Sequence, residues 1–199
     1  GTDLFIVPNK GLDRVHVVRL GSGGALELVS EATARSCSGP RHVAFGVSVR
    51  GGPGWAWVAN ELDSTVTGYQ FDPAQAELLA KRTVSLLPDD FTGESRAAGI
   101  AIGRDTLYVS NRGHDSISVV RVNQPTGAMN VCQWQSTLGT TPRFLTLTPD
   151  GSFLLVANEG SDTIVRFRVR EDGLLSDATV VAETGSPVCI TFMSSTTTS

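Results

Sequence analysis

The chain has 199 residues, 40% hydrophobic and 18% charged, with 21 glycines and 9 prolines; it is too apolar and mixed for a disordered polymer and sized for one domain. Its formal charge of −4, without a basic run, argues against a nucleic-acid or anionic-membrane binder, and no stretch approaches the roughly 20 apolar residues that cross a bilayer. Three scattered cysteines (Cys37, Cys132, Cys189) argue against a disulfide framework, and three histidines (His16, His42, His114) without Cys-x-x-Cys or His-x-x-x-His spacing argue against a zinc site, so no metal or cofactor is expected.

The chain opens on an apolar β pattern at residues 4–7 and runs into a turn, Val7-Pro8-Asn9-Lys10-Gly11-Leu12-Asp13, that returns as Val58-Ala59-Asn60-Glu61-Leu62-Asp63, Val109-Ser110-Asn111-Arg112-Gly113-His114-Asp115 and Val156-Ala157-Asn158-Glu159-Gly160-Ser161-Asp162. The asparagines at 9, 60, 111 and 158 recur after 51, 51 and 47 residues, the period of four-stranded propeller blades. Within a unit the apolar period is 2: Val165, Phe167 and Val169 face one way, and Ile164, Arg166, Arg168 and Arg170 the other. The same strand recurs in register, with Val18, Tyr69, Val120 and Phe167 in an apolar column and Arg19, Gln70, Arg121 and Arg168 beside it. Turns fall at residues 51–54, Pro149-Asp150-Gly151 and Asn158-Glu159-Gly160. The helix-like stretch 74–82 sits where an outermost strand is due.

The expected fold is therefore all-β, a partial β-propeller over 1–192 with blades of four antiparallel strands. Residues 1–38 supply the second to fourth strands of a blade, and 39–90, 91–140 and 141–185 are complete blades. An inner strand of a closing blade follows at 186–192, then a polar tail at 193–199. Inner strands are expected to start near Arg41, Ala97, Arg143 and Val188. Both ends are open, so further N-terminal blades or self-association through exposed edges are expected; closure into a four-bladed ring by pairing 188–192 with 4–7 is the alternative.

The repeat provides an internal control for function. A residue kept at equivalent turns answers a shared backbone demand, and the four asparagines read this way because Asn side chains bond nearby backbone. The next position changes sign, Lys10, Glu61, Arg112, Glu159, which points to side chains chosen for what they face; for Lys10 a solvated turn role is expected. A second column, Arg41, Arg96 and Arg143, counts back by similar offsets from the second-strand valines to the mouth of the inner strands. Guanidinium groups crowded into one channel repel unless an anion or neighbouring acids (Glu61, Glu94, Glu159) discharge them, and arginine suits carboxylate or phosphate through paired hydrogen bonds. His42 follows Arg41, so strict alternation would send the two to opposite faces and make His42 a buried, backbone-bonded residue. No Gly-x-Ser-x-Gly elbow is present, since residues 46–50 lack the last glycine, and Gly21-Ser22-Gly23-Gly24 lacks the Lys-Ser/Thr ending of a phosphate loop.

Gly39-Pro40-Arg41-His42, Asn60-Glu61-Leu62 and Ser110-Asn111-Arg112-Gly113-His114-Asp115, with Phe91-Thr92-Gly93-Glu94, Pro142-Arg143-Phe144 and Ser186-Pro187-Val188-Cys189-Ile190-Thr191-Phe192, together resemble the propeller lactonase family. That family includes bacterial propeller-type 6-phosphogluconolactonases and fungal carboxymuconate-cyclising enzymes. The resemblance implies a seven-bladed propeller of which this chain is the C-terminal four blade equivalents, inactive alone, with a further site histidine expected upstream of residue 1. It implies Glu61, Arg112 and Arg41 as catalytic residues, and Arg143, Arg96, His42, Asn111 and Glu159 are taken as substrate contacts. Gly99 and Ala101 depart from the family pattern, in which an acid and often a His are usual. The implied activity is hydrolysis of a sugar lactone, first of all 6-phosphogluconolactone, in a cytoplasmic protein, export remaining open, whose partner is a small anionic lactone rather than nucleic acid or membrane. Carboxymuconate lactonisation and a non-catalytic binding propeller are the alternatives.

Overall fold

The computed structural model describes residues 3–46 and 54–193. Most of the 51–54 turn, the 46–50 segment and the polar tail thus lie outside the described residues. Among the described residues the structure is built from strands without a helix: β1 (Leu4–Asn9), β2 (Arg14–Leu20), β3 (Leu26–Thr33), β4 (Pro40–Gly46), β5 (Gly54–Asn60), β6 (Thr65–Asp72), β7 (Glu77–Ser85), β8 (Arg96–Ile102), β9 (Thr106–Arg112), β10 (Ser116–Asn123), β11 (Ala128–Ser136), β12 (Pro142–Leu147), β13 (Phe153–Asn158), β14 (Thr163–Val169) and β15 (Leu175–Glu183). They form four antiparallel meanders, a three-stranded β1–β3 and four-stranded β4–β7, β8–β11 and β12–β15. The inner strands β4, β8 and β12 pack side by side, and β1 lies against β4. This is a fan of propeller blades, with the helix-like stretch absorbed into β7.

The alternation that predicts the strands also builds the core. Tyr69, Val120 and Phe167 of the apolar column are fully buried, whereas Val18, in the three-stranded first blade, is only half-buried. Trp57 on β5 is completely buried in a slot left by two glycines: a Cβ on Gly46 would stand 2.7 Å from its ring, and one on Gly68 would stand 3.4 Å away. Gly99 has a similar reason. Its Cβ would lie 2.9 Å from the Leu145 backbone nitrogen, so the close approach of β8 to β12 leaves no room for the acid usual in the family.

The asparagine column behaves as a backbone device. Asn60 donates from Nδ2 to Thr65 and Thr67 hydroxyls (2.9 Å each), Asn111 to Ser116 (3.2 Å) and Ser118 (2.8 Å), and Asn158 to Thr163 (3.3 Å) and the Thr137 carbonyl (3.0 Å). Asn111 is wholly buried and engaged in this way, so its expected substrate contact is corrected to a structural one. Four residues after each asparagine, in the same turn, the chain enters the left-handed region at Asp13, Ser64, Asp115 and Asp162 (φ 51°, 51°, 52° and 58°), which short polar side chains tolerate. Three of these positions carry carboxylates that reach the next unit. Asp13 accepts from the Gly39 N–H (2.9 Å), Asp115 from Thr141 (2.9 Å) and Asp162 from Ser186 (2.7 Å). The repeat therefore fixes where each following inner strand begins.

Residues 188–192 are set up by that last clasp but form no ladder among the described residues, which corrects their expected strand. A strand persists only through hydrogen bonds to a neighbour; β1 pairs with β2 alone, so the four-bladed ring does not form either.

Candidate active site at the inner-strand mouth

The inner strands do not alternate strictly where they begin. Pro40 faces Asn60 and His42 faces Ala59, leaving Arg41 as the extra residue of a β-bulge; Pro142 faces Asn158 and Phe144 faces Ala157, leaving Arg143 likewise. A bulge bends the strand and re-aims its side chains. Arg41 and His42 are consequently neighbours, not opposed as alternation predicts: Arg41 Nη1 lies 3.0 Å from His42 Nε2 and 3.1 Å from Nδ1.

Register also separates Arg96 from the arginine column. Ala97 faces Asn111 as Pro40 and Pro142 face their asparagines, so the counterpart of Arg41 and Arg143 is Ala98, and Arg96 sits a step outward, opposite Arg112. The offset count failed because the hairpin closed by Thr148 and Phe153 is two residues longer than the one closed by Gly103 and Thr106.

Glu61 is the centre of the site. It is only 7% exposed, and three cations from three successive sheets meet its carboxylate. Lys10 Nζ reaches Oε1 at 2.6 Å, Arg41 Nε reaches Oε2 at 3.1 Å and Arg112 Nη2 reaches Oε1 at 3.2 Å. Backbone carbonyls hold the two guanidiniums in place, Arg41 on Ala98 O (2.9 Å) and Arg112 on Ala97 O (3.4 Å). Lys10, although exposed at the turn, is thus an ion-pair partner of Glu61 and not only a solvated residue. Its legible signal was the alternation of charge around the turn column, plus, minus, plus, minus, which puts opposite charges at adjoining blade corners. Arg143 pairs with Glu159 (3.2 Å) at a more exposed position, and its charge is felt by both Arg41 and His42. His114 stands apart from this cluster, bonded to Ser116 Oγ (2.6 Å) and set edge-on to Phe91.

The electrostatics follow from burial against charge. Burial works to raise the Glu61 pKa, but Lys10 and Arg112 outweigh it and hold the carboxyl below its ordinary value. Burial, then the neighbouring Arg112, lower the pKa of Arg41, which remains a cation. Burial and the adjoining Arg41 push His42 down from 6.5 to about 4, so it is neutral at physiological pH. Between those two values the unfolded chain binds the proton that the folded chain refuses, so stability falls as pH drops from 6.5 towards 4 and gains nothing from this group above 6.5. Chemical denaturation across that range is expected to show a shallower pH dependence in His42→Asn than in the parent chain.

The site is a buried carboxylate ringed by cations where propeller blades converge, an arrangement suited to a small anion or a polarised carbonyl. A family model for the seven-bladed β-propeller lactonases matches residues 2–192, and the chain belongs to that family. It is 34% identical over 186 residues to the 6-phosphogluconolactonase of Bacillus subtilis, covering 92% of this chain and 52% of that protein. Among solved structures, a periplasmic gluconolactonase of Pseudomonas aeruginosa superposes with a TM-score of 0.87 at 27% identity, over 96% of this chain and 54% of the other. A Lactobacillus plantarum protein superposes with a TM-score of 0.83 at 29% identity, over 89% and 51%. The chain spans about half the length of these relatives.

Proposed function

We propose that this chain carries the catalytic carboxylate and arginines of a sugar-lactone hydrolase, with 6-phosphogluconolactone as substrate. The observation that carries the reading is Glu61, a nearly buried carboxylate kept ionised by Lys10, Arg41 and Arg112. A carboxyl held low is a poor proton donor at neutral pH but accepts a proton from a bound water, so Glu61 is assigned as general base. The water oxygen attacks the lactone carbonyl carbon while its proton passes to Glu61. Negative charge collects on the carbonyl oxygen, where Arg112 and Arg41 oppose it from a water-poor setting. Collapse restores the carbonyl and breaks its bond to the ring oxygen, which takes up the proton and leaves as the sugar hydroxyl. His42, neutral beside Arg41, adds a polar contact without a further charge, and Arg143 with Glu159 forms the outer, exchangeable grip on the substrate.

The B. subtilis relative named 6-phosphogluconolactonase and the P. aeruginosa gluconolactonase support a lactone substrate. The deciding experiment is the hydrolysis of 6-phosphogluconolactone by this chain completed to the seven blades of its family, corrected for spontaneous opening. Saturable hydrolysis is expected; turnover of a carboxymuconate without lactone opening would replace the reading.

A further inference from the structure

Arg96, displaced from the arginine column by register, raises a question the Glu61 centre does not answer. It faces Arg112 directly across the β8–β9 ladder, so both side chains project from the same side of the sheet, and like charges so placed destabilise a pair. Arg112 is discharged by Glu61. Arg96 is exposed and makes no ion pair among the described residues. It lines a cavity of about 330 Å³ between the second and third blades, together with Leu62, Asp63, Ser64, Glu94 and Ser95, within the size range of ligand sites. Asp63 is already engaged by the Arg35 guanidinium and by Thr65 Oγ1. Ser64 is 1% exposed, and its hydroxyl and that of Ser95 are buried without a hydrogen-bond partner, a cost proteins rarely leave standing.

We propose that this cavity is a second oxyanion site, outward of the Glu61 centre, which takes a phosphate or carboxylate group on Arg96 with the Ser64 and Ser95 hydroxyls as donors. Arginine matches such groups with paired charge-assisted hydrogen bonds, and the incoming charge removes the Arg96–Arg112 repulsion. Glu94, the remaining acid on the wall, disfavours a bare anion but accepts from hydroxyls, which selects an oxyanion borne on a polyhydroxy compound. The link to a sugar acid rests on the lactonase reading above; the oxyanion chemistry does not.

The test is the phosphate dependence of the melting temperature of the 199-residue chain, with glucose 6-phosphate as the polyhydroxy probe. Without ligand, Arg96→Met is expected to melt at or above the parent temperature because a like-charge pair is gone. Added phosphate ester should raise the parent temperature in a saturable way, with at least tenfold weaker apparent affinity in Arg96→Met, a severalfold loss in Ser64→Ala and little change in Lys81→Met, which removes an exposed cation of the outermost strand β7. Equal responses in the parent and Arg96→Met would overturn the proposal, because a general salt effect acts on both alike. The source of the group is read in the chain completed to seven blades. A tenfold higher KM for 6-phosphogluconolactone in Arg96→Met, with kcat and the KM for unphosphorylated gluconolactone unchanged, assigns it to the substrate, and unchanged constants assign it to a separate anion. If neither lactone is hydrolysed, the lactonase reading falls while the binding result still decides this one.

Discussion

Glu61→Gln in the chain completed to seven blades is expected to lower kcat for the proposed lactone hydrolysis by about 10²–10⁴-fold, the usual worth of a positioned general base. The change is isosteric, so the blade corner keeps its shape, but the amide has no basic oxygen with which to take the water's proton. Three cations, Lys10, Arg41 and Arg112, then lose their common counter-charge. That gives the prediction a second, opposite arm: a more positive pocket should hold a phosphorylated lactone at least as tightly, so KM is expected to stay level or fall while kcat collapses. A merely structural role for the carboxylate would instead spoil binding and turnover together. Glu61→Asp separates base chemistry from position. It retains a carboxylate but withdraws it by one methylene from cations 2.6–3.2 Å away, so a partial loss is expected. Unchanged turnover in Glu61→Gln would remove Glu61 from the mechanism and place the base elsewhere in the propeller.

What could be read from the residues and what could not divide along physical lines. Blade architecture was legible because burial has a period: Tyr69, Val120 and Phe167 lie one repeat apart and all reach the core. The Glu61, Arg41 and Arg112 cluster was legible through the family resemblance and the changing charge at equivalent turns, although its cause, carboxylate and cations from adjoining sheets meeting at one point, is a tertiary fact. The bulge at Arg41 was not legible, since one extra residue in a ladder leaves no mark on composition, and the expectation that Arg41 and His42 part company failed on it. Arg96 departs from the expected column for a related reason: the hairpin between it and the second-strand valine differs in length between blades. Asn111 follows its own column, buried and bonded to Ser116 and Ser118, and not the ligand role that the resemblance suggests. Residues 188–192 carry an inner-strand pattern, but pairing depends on a neighbour that the local sequence does not specify.

Trp57→Ala is expected to cost about 3–5 kcal/mol, the range for truncating a fully buried large aromatic, against a total stability on the order of 5–15 kcal/mol. The slot is unusually committed to the indole. Gly46 and Gly68 leave space for it on two sides, and Trp55 stacks at 6.4 Å between ring centroids with an 18° interplanar angle. The two glycines have no side chain to extend into the void, so the cavity term adds to the lost burial. Trp57→Phe should cost distinctly less than removal of the same ring area elsewhere. The indole N–H is buried with no acceptor, and phenylalanine deletes that orphaned donor along with part of the ring. Urea midpoints for the parent and the two variants would order parent, Phe and Ala from most to least stable; an alanine variant within 1 kcal/mol of the parent would mean that the blade collapses onto the site. The functional consequence runs through β5, because Trp57 precedes Asn60 and Glu61 on the strand that delivers the base. A softened β5 loosens the carboxylate against Arg41 on β4 and Arg112 on β9, so in the chain completed to seven blades the proposed lactone turnover of the alanine variant should fail at a temperature below its own global unfolding, while without the substitution the two should coincide.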